Sequence, residues 1–306
     1  MISEFEFIDR IKSKYGLSRI GDDCAVLPKD ERRDAVITAD MLVEDIDFRL
    51  DWAAPEQIGH KALAVSLSDI AAMGGDPKWA MVSIGVSEKL WKTDFLDRFY
   101  SGWHALAAMF DVELIGGDIS RTPDKLVIDS IVGGEVLKGR AILRSGARPD
   151  DLLYVSGTLG GAAAGLRLLE QNRPSAGTIK KQLEPIPQID IAKRLSSLGL
   201  ATAMIDLSDG LSSDLQHICR ASAAGAVLYA ETLPIDPEVA SHHSVTEAFE
   251  MAINGGEDFQ LLLTTSGPID LDGLTLIGKM TNDTGKVFLE RNGVQTEIAA
   301  RGFRHF

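Results

Sequence analysis

Lys61 to Pro77 reads KALAVSLSDIAAMGGDP, an apolar segment that carries one carboxylate. Drawn as a helix, it puts Leu63, Ala64, Val65, Leu67, Ile70, Ala71, Ala72 and Met73 around most of its circumference. Helices apolar nearly all round are buried ones. Ser66 and Asp69, three residues apart, fall on neighbouring parts of one face. A carboxylate taken into such surroundings needs a cation or several donors, because burying it unpaired is costly. Gly74 and Gly75 stop the helix, and Pro77 opposes its resumption. A frayed surface Asp would read the same way from this segment alone. The same kind of acid, however, recurs at the ends of several strands.

Upstream, residues 3–15 place Phe5, Ile8 and Ile11 at helical spacing, which predicts a short amphipathic opening helix. IGDDCAVL leads into a strand with Asp22 and Asp23 at its start. DAVITADMLVEDIDF predicts a strand over Ala35 to Ala39 that gives way to a polar loop with Asp40, Glu44, Asp45 and Asp47. Such a loop is commonly only solvated, but site carboxylates also gather where strands end. Downstream come a strand, WAMVSIGV, and a helix with Leu96, Phe99, Trp103, Leu106 and Phe110 on its inner stripe. DVELIGGDIS reads as a strand followed by Gly116, Gly117 and Asp118, and KLVIDSIVGGEV as another strand. GRAILRSGARPDD holds Arg144 in a loop rich in turn residues, which divides the chain into residues 1–145 and 146–306.

The second part opens with the strand LLYVSG and then TLGGAAAGLRLLE, a glycine-rich turn into a helix. Bare backbone N–H groups at a helix start can hold phosphate; equally, these small residues can simply allow close packing. Residues 171–190 read as a surface loop ahead of a helix over Ile191 to Leu198. In ATAMIDLSDGLSSDLQHICRAS a strand ends at Asp206, and Ser208 or Asp209 caps a helix that turns Leu211, Leu215 and Ile218 inward. Capping accounts for one of those polar residues but not for Asp206 as well. NGGEDFQLLLTT sets two glycines and acids, Glu257 among them, before a strand, and ARGFRHF ends with two aromatics beside Arg301 and Arg304.

A chain of 306 residues with 45% apolar and 25% charged content matches a globular enzyme of two domains. Its net charge of −14 argues against nucleic acid or anionic membrane as partner. Two cysteines without CxxC spacing, no apolar leader at the start and no long apolar run point to a soluble cytoplasmic protein. No GxxxxGK[ST], GxGxxG, HExxH or G-x-S-x-G occurs, and the six histidines have no zinc-ligand spacing. What remains are hard oxygen ligands on short turns: Asp23, Asp40, Asp69, Asp118, Asp206, Asp209 and Glu257. Mg²⁺ commonly takes one or two carboxylates plus substrate phosphates, so this many acids implies more than one ion. Phosphoryl transfer asks chiefly for positioning and charge neutralisation and needs no side-chain nucleophile. Without a Walker lysine the cations would be Mg²⁺, with Arg144 as a phosphate fork.

Taken together, IGDDCAVL, the TAD of ITADML, KALAVSLSDIAAMGGDP, LIGGD, ILRSGARPDD, IDLSDGL and NGGEDFQL occur in an order and spacing that resembles the thiamine-monophosphate kinase family, over nearly the whole chain. That family sits in the aminoimidazole ribonucleotide synthetase-like superfamily. The resemblance implies a two-domain α/β fold: an N-terminal mixed sheet with helices on one face, paired with that of a second subunit in a homodimer, and a C-terminal α/β domain. It implies ATP as co-substrate, several Mg²⁺ ions, and direct transfer of the γ-phosphoryl group to thiamine monophosphate. Carried over by position, the Mg²⁺ ligands are Asp23, Thr38, Asp40, Asp69, Asp118, Asp206 and Asp209, with Asp69, Asp118 and Asp209 catalytic. Gly117, Asp118, Arg144 and Ser208 would touch ATP; Asp47, Glu257 and Phe303 would contact thiamine monophosphate. Asp47 stands where the family often has a histidine, and Ala39 where a threonine is frequent.

Three other readings compete with this one. Selenophosphate synthetase is expected to carry a reactive cysteine or selenocysteine, with a lysine, in a glycine-rich N-terminal segment; here Cys24 falls within a predicted strand. The related hydrogenase maturation protein is expected to end in cysteine, and this sequence ends in Phe306. A nucleotide-sensing dimer without turnover need not keep acids at every matched position.

Overall fold

The computed structural model describes residues 4–173 and 176–303; Ser3 of the opening helix and Arg304, His305 and Phe306 lie outside the described residues. In chain order the first part comprises α1 (Glu4–Tyr15), β1 (Ala25–Pro28), β2 (Arg33–Val43), α2 (Pro55–Ala72), β3 (Asp76–Ser87), α3 (Glu88–Trp91), α4 (Phe95–Met109), β4 (Glu113–Thr122) and β5 (Val127–Leu137). The second comprises β6 (Leu152–Ser156), α5 (Gly161–Glu170), α6 (Ala176–Leu183), α7 (Ile189–Leu198), β7 (Ala201–Asp206), α8 (Leu211–Ala221) and β8 (Gly225–Tyr229). It closes with α9 (Pro237–His242), α10 (Val245–Asn254), β9 (Leu261–Thr265), β10 (Leu274–Thr281), β11 (Val287–Arg291) and β12 (Val294–Ile298).

The first sheet runs β1-β2-β5-β3-β4, antiparallel except for the parallel pair β3–β4. Period-two burial in β2 sends Val36, Thr38 and Leu42 to the helix-covered face and leaves Met41 61% exposed on the other. α2 lies on the covered face and is buried nearly all round, from Ile58 to Ala72, as its composition requires. α4 crosses α2 backbone to backbone: a Cβ at Gly102 would stand 1.8 Å from the Glu56 carbonyl oxygen, and one at Gly59 2.0 Å from that of Phe99. Trp103 and Phe99 fill the seam with no exposure.

The second sheet runs β12-β11-β8-β10-β6-β9-β7, with β8–β11 its parallel pair. Its far face packs α8 and α10 through Leu215, Ile218, Phe249 and Ile253. The other core reaches from α2 through Ile189 and Leu195 of α7 to Met204, Leu261 and Leu263, so the two sheets share one apolar interior. The connection 138–151 runs along this junction, with Ile142 N–H bonded to the Met73 carbonyl and Met204 N–H to that of Leu143.

Three local expectations are corrected. β2 continues to Val43, so Asp40 is a strand residue and not the start of a loop. Gly116, Gly117 and Asp118 lie inside β4 rather than after it. Gly117 has φ +154, and a Cβ there would meet the Val82 carbonyl oxygen at 1.9 Å, so glycine permits the close approach of β4 to β3. The surface loop read over 171–190 contains α6, whose Thr178, Gln182 and Leu183 are buried; an apolar position every few residues amid polar ones concealed it.

Candidate active site

The acids meet where α2 abuts the end of β7. Asp23 precedes β1, Asp69 rides on the last turn of α2 and Asp206 ends β7, yet one carboxylate oxygen from each lies within 4.8 Å of the others. Helical spacing on α2 supplies the hydroxyls that bind them together. Ser66 Oγ donates to Asp40 Oδ2 at 2.7 Å, and Ser68 Oγ to Asp206 Oδ2 at 2.6 Å, while Thr38 Oγ1 of β2 donates to Asp69 Oδ2 at 2.5 Å. The Ser68–Asp206 bond ties the first part of the chain to the second at the cluster itself.

Burial and mutual repulsion dominate the electrostatics here. Desolvation, then the charges of Asp40, Asp206 and Asp23, pushes the Asp69 carboxyl well above the usual range. Burial first, with Asp129 and Asp23 adding to it against the Ser66 bond, raises Asp40 to about 6. Burial and the Asp23 charge raise Asp206 to about 7. Asp23 is likewise raised by burial, although Arg144 pulls the other way through Nε at 3.2 Å and an ion pair from Nη2. Arg144 is held charged by Asp23 against its own burial, and its backbone N–H is anchored on Asp22 Oδ1 at 2.9 Å.

Among the described residues, Asp23 Oδ2 is buried without a hydrogen-bond partner. A buried carboxylate oxygen without a donor, facing two more acids of raised proton affinity, is what a hard cation would satisfy. An all-oxygen donor set of carboxylates and a nearby hydroxyl suits Mg²⁺. The residues present therefore fit that ion.

A second group follows within a turn. Asp209, Asp214 and His217 also bring one ligand atom each within 4.8 Å. Neither Ser208 nor Asp209 caps α8, as the sequence had suggested; Asp214 does, accepting from the Asp209 N–H at 3.2 Å and the Gly210 N–H at 3.0 Å from inside the helix. Burial and the Asp209 charge push Asp214 well above its usual range, and burial with Arg144 lowers His217 to about 4. Asp214 and His217 escaped the sequence reading because an acid and a histidine on an amphipathic helix look like its solvated face.

Asp118 is not brought to this cluster within one chain. Strand register aligns Asp40 with Ser130, Val82 and Gly117, whereas Asp118 aligns with Ser83, Asp129 and Met41. Register partners share a face, so Asp118 lies on the uncovered face and Asp40 on the covered one. Three strand spacings also separate their strands, roughly 14 Å. Asp118 is exposed.

On the other side, Glu257 Oε1 pairs with Lys61 Nζ at 2.6 Å, and Gln182 donates to Oε2. Lys61 Nζ also reaches the Asp47 carbonyl at 3.2 Å, and Asp47 Oδ2 accepts from the Val43 N–H at 2.7 Å. Phe303 is half exposed, with its N–H on the Asp209 carbonyl at 3.1 Å. Lys61 and Gln182 were not singled out in the sequence, since a lone lysine in an apolar helix and a glutamine in a polar tract carry no local signal. The glycine-rich start of α5 has no room for phosphate: the Asp258 carboxylate already accepts from the Gly160 N–H at 2.6 Å and the Ala162 N–H at 3.0 Å.

Residues 21–136 match the family model described as AIR synthase related protein, N-terminal domain, and residues 148–288 the one described as AIR synthase related protein, C-terminal domain. The thiamine-monophosphate kinase of Bacillus subtilis is 37% identical, over 94% of this chain and 93% of that protein. That of Escherichia coli K12 is 36% identical, over 99% and 98%. A solved structure of AaThiL complexed with AMPPCP and TMP superposes with a TM-score of 0.89 at 34% identity, covering 99% of this chain and 97% of that one. With full-length identity at this level and both halves matched in order, the chain belongs to the thiamine-monophosphate kinase family.

Proposed function

We propose that this protein phosphorylates thiamine monophosphate, passing the γ-phosphoryl group of ATP to the substrate phosphate to give thiamine diphosphate and ADP. The observation that carries the reading is the meeting of Asp23, Asp69 and Asp206 from three remote parts of the chain, with a buried Asp23 oxygen lacking any donor. Asp23, Asp40, Asp69, Asp206 and Asp209, with Thr38, would hold Mg²⁺ ions. Bound there, Mg²⁺ neutralises phosphate charge. Family membership supports the substrates, as does the relative solved with AMPPCP and TMP.

The chain's own groups then divide the work. Arg144, tethered by Asp23 at the edge of the cluster, faces the phosphates, and Ser208 on the exposed loop after β7 contacts ATP. Glu257, Phe303 and Asp47 line the acceptor side. By resemblance to the family, Gly117 and Asp118 would touch the nucleotide as well. Because Asp118 stands on the uncovered face of the first sheet, we infer a homodimer joined through that face, in which Asp118 serves the neighbouring copy's site. Met41, 61% exposed on that face, leaves an apolar group there for a second copy to cover. The unit boundary falls at residues 145 and 146, within the connection between β5 and β6. Among the described residues no helix is long and apolar enough to cross a membrane, and the reading places the protein in the cytoplasm.

The test is direct. Purified protein incubated with MgATP and thiamine monophosphate should yield thiamine diphosphate and ADP in equal amounts, with no label from γ-labelled ATP left on the protein. ATP consumption without thiamine diphosphate would assign the chain another acceptor, and a labelled protein would exclude direct transfer.

A further inference from the structure

We propose that Lys61 is a positioning residue for the phosphate acceptor, acting through Glu257 rather than on the ligand itself. The inference rests on the reading of Glu257 as an acceptor-side residue. Lys61 is 2% exposed on α2, among mostly apolar side chains. An ammonium in that position is costly unless paired and hydrogen-bonded. Its two partners are the Glu257 carboxylate and the Asp47 backbone carbonyl, one from each part of the chain and both on the acceptor side.

Glu257 is restrained from every direction except outward. Lys61 holds one carboxylate oxygen and Gln182, itself 4% exposed on α6, holds the other. Its backbone sits at φ +64, a conformation uncommon for a residue with a side chain, and its N–H is bonded to the Ser208 carbonyl at 2.8 Å. Yet the side chain remains 29% exposed. Two buried donors from different helices thus hold a partly exposed carboxylate in place, which suits a ligand carrying a cationic heteroaromatic ring. Fixing such a group in advance removes an ordering cost from binding.

The experiment compares K61M, K61R, E257Q and K61M/E257Q with the native chain, measuring kcat, KM for thiamine monophosphate and KM for MgATP. Loss of a charged hydrogen bond predicts a rise of about tenfold or more in KM for thiamine monophosphate in K61M, with KM for ATP within about twofold. K61R should recover part of the loss. The double variant should be no worse than E257Q by more than about twofold, because the lysine works through the carboxylate. Should K61M fail to fold, Q182L removes the second donor without stranding a charge and should raise the same KM selectively. Parallel rises in both KM values, or effects that multiply in the double variant, would overturn the assignment. Absence of thiamine diphosphate with the native chain would remove the functional reading and this inference with it. Normal product formation with an unchanged acceptor KM in K61M would remove Lys61 alone.

Discussion

The backbone N–H of Glu257 donates to the carbonyl oxygen of Ser208 across 2.8 Å, and that of Phe303 donates to Asp209 across 3.1 Å. Glu257 and Phe303, proposed for the acceptor side, therefore hang on the loop between β7 and α8, which follows Asp206 and carries Asp209. In the proposed site, one loop thus joins the metal-facing acids to the acceptor side. Asp209→Asn keeps those backbone bonds and removes only charge, so turnover should fall by roughly a hundredfold or more while circular dichroism and melting stay native. Near-normal kcat in this variant would take Asp209 out of the mechanism.

Stability should decline with pH when divalent cations are chelated. Asp40 and Asp206 are raised to about 6 and about 7, from a value near 3.8 in the unfolded chain. The folded protein therefore holds more protons than the unfolded one between those limits, and stability is lost as pH rises through that window. In EDTA the melting temperature at about pH 7.5 should lie several degrees below that at about pH 5, and Mg²⁺ should restore it. A cluster that melts higher at the upper pH in EDTA would mean that its carboxylates are already compensated within the protein.

Asp118 and Asp69 offer a test of the dimer. If Asp118 serves the neighbouring copy, inactive D118N and inactive D69N should complement when mixed. Random exchange makes about half of the dimers mixed, each with one complete site, so about a quarter of native activity is expected. Complementation near zero, with subunit exchange demonstrated, would place Asp118 in its own chain's site.

Asp258 holds the start of α5 by accepting from Gly160 and Ala162, and burial raises it to about 6 against both of those donors. Asp258→Ala should cost about 1–2 kcal/mol of stability in urea titration, the usual loss for a helix N-terminal acceptor. An unchanged midpoint would show that the carboxylate does not hold this helix start.

Much of the fold was legible because its signals are local. The apolar circumference of residues 61–73, the strand ending at Asp206 and the inner stripe of α4 all came true within a few residues. Boundaries failed where neighbours decide them. β2 and β4 run past their apparent ends because adjacent strands continue to offer partners, Asp40 opposite Ser130 and Asp118 opposite Ser83. α6 was hidden because its buried face is mixed, with Gln182 pointing inward to serve Glu257.

Sequence alone determined which residues could bear the chemistry, since hard-oxygen side chains beside glycine turns are local facts of the chain. Only the tertiary structure decided which of them meet. Asp23, Asp69 and Asp206 converge, while Asp118 stands across the sheet on its opposite face. That outcome depends on strand order and on the alternation of faces, which are set by pairings between residues far apart in the chain and leave no trace in any single segment.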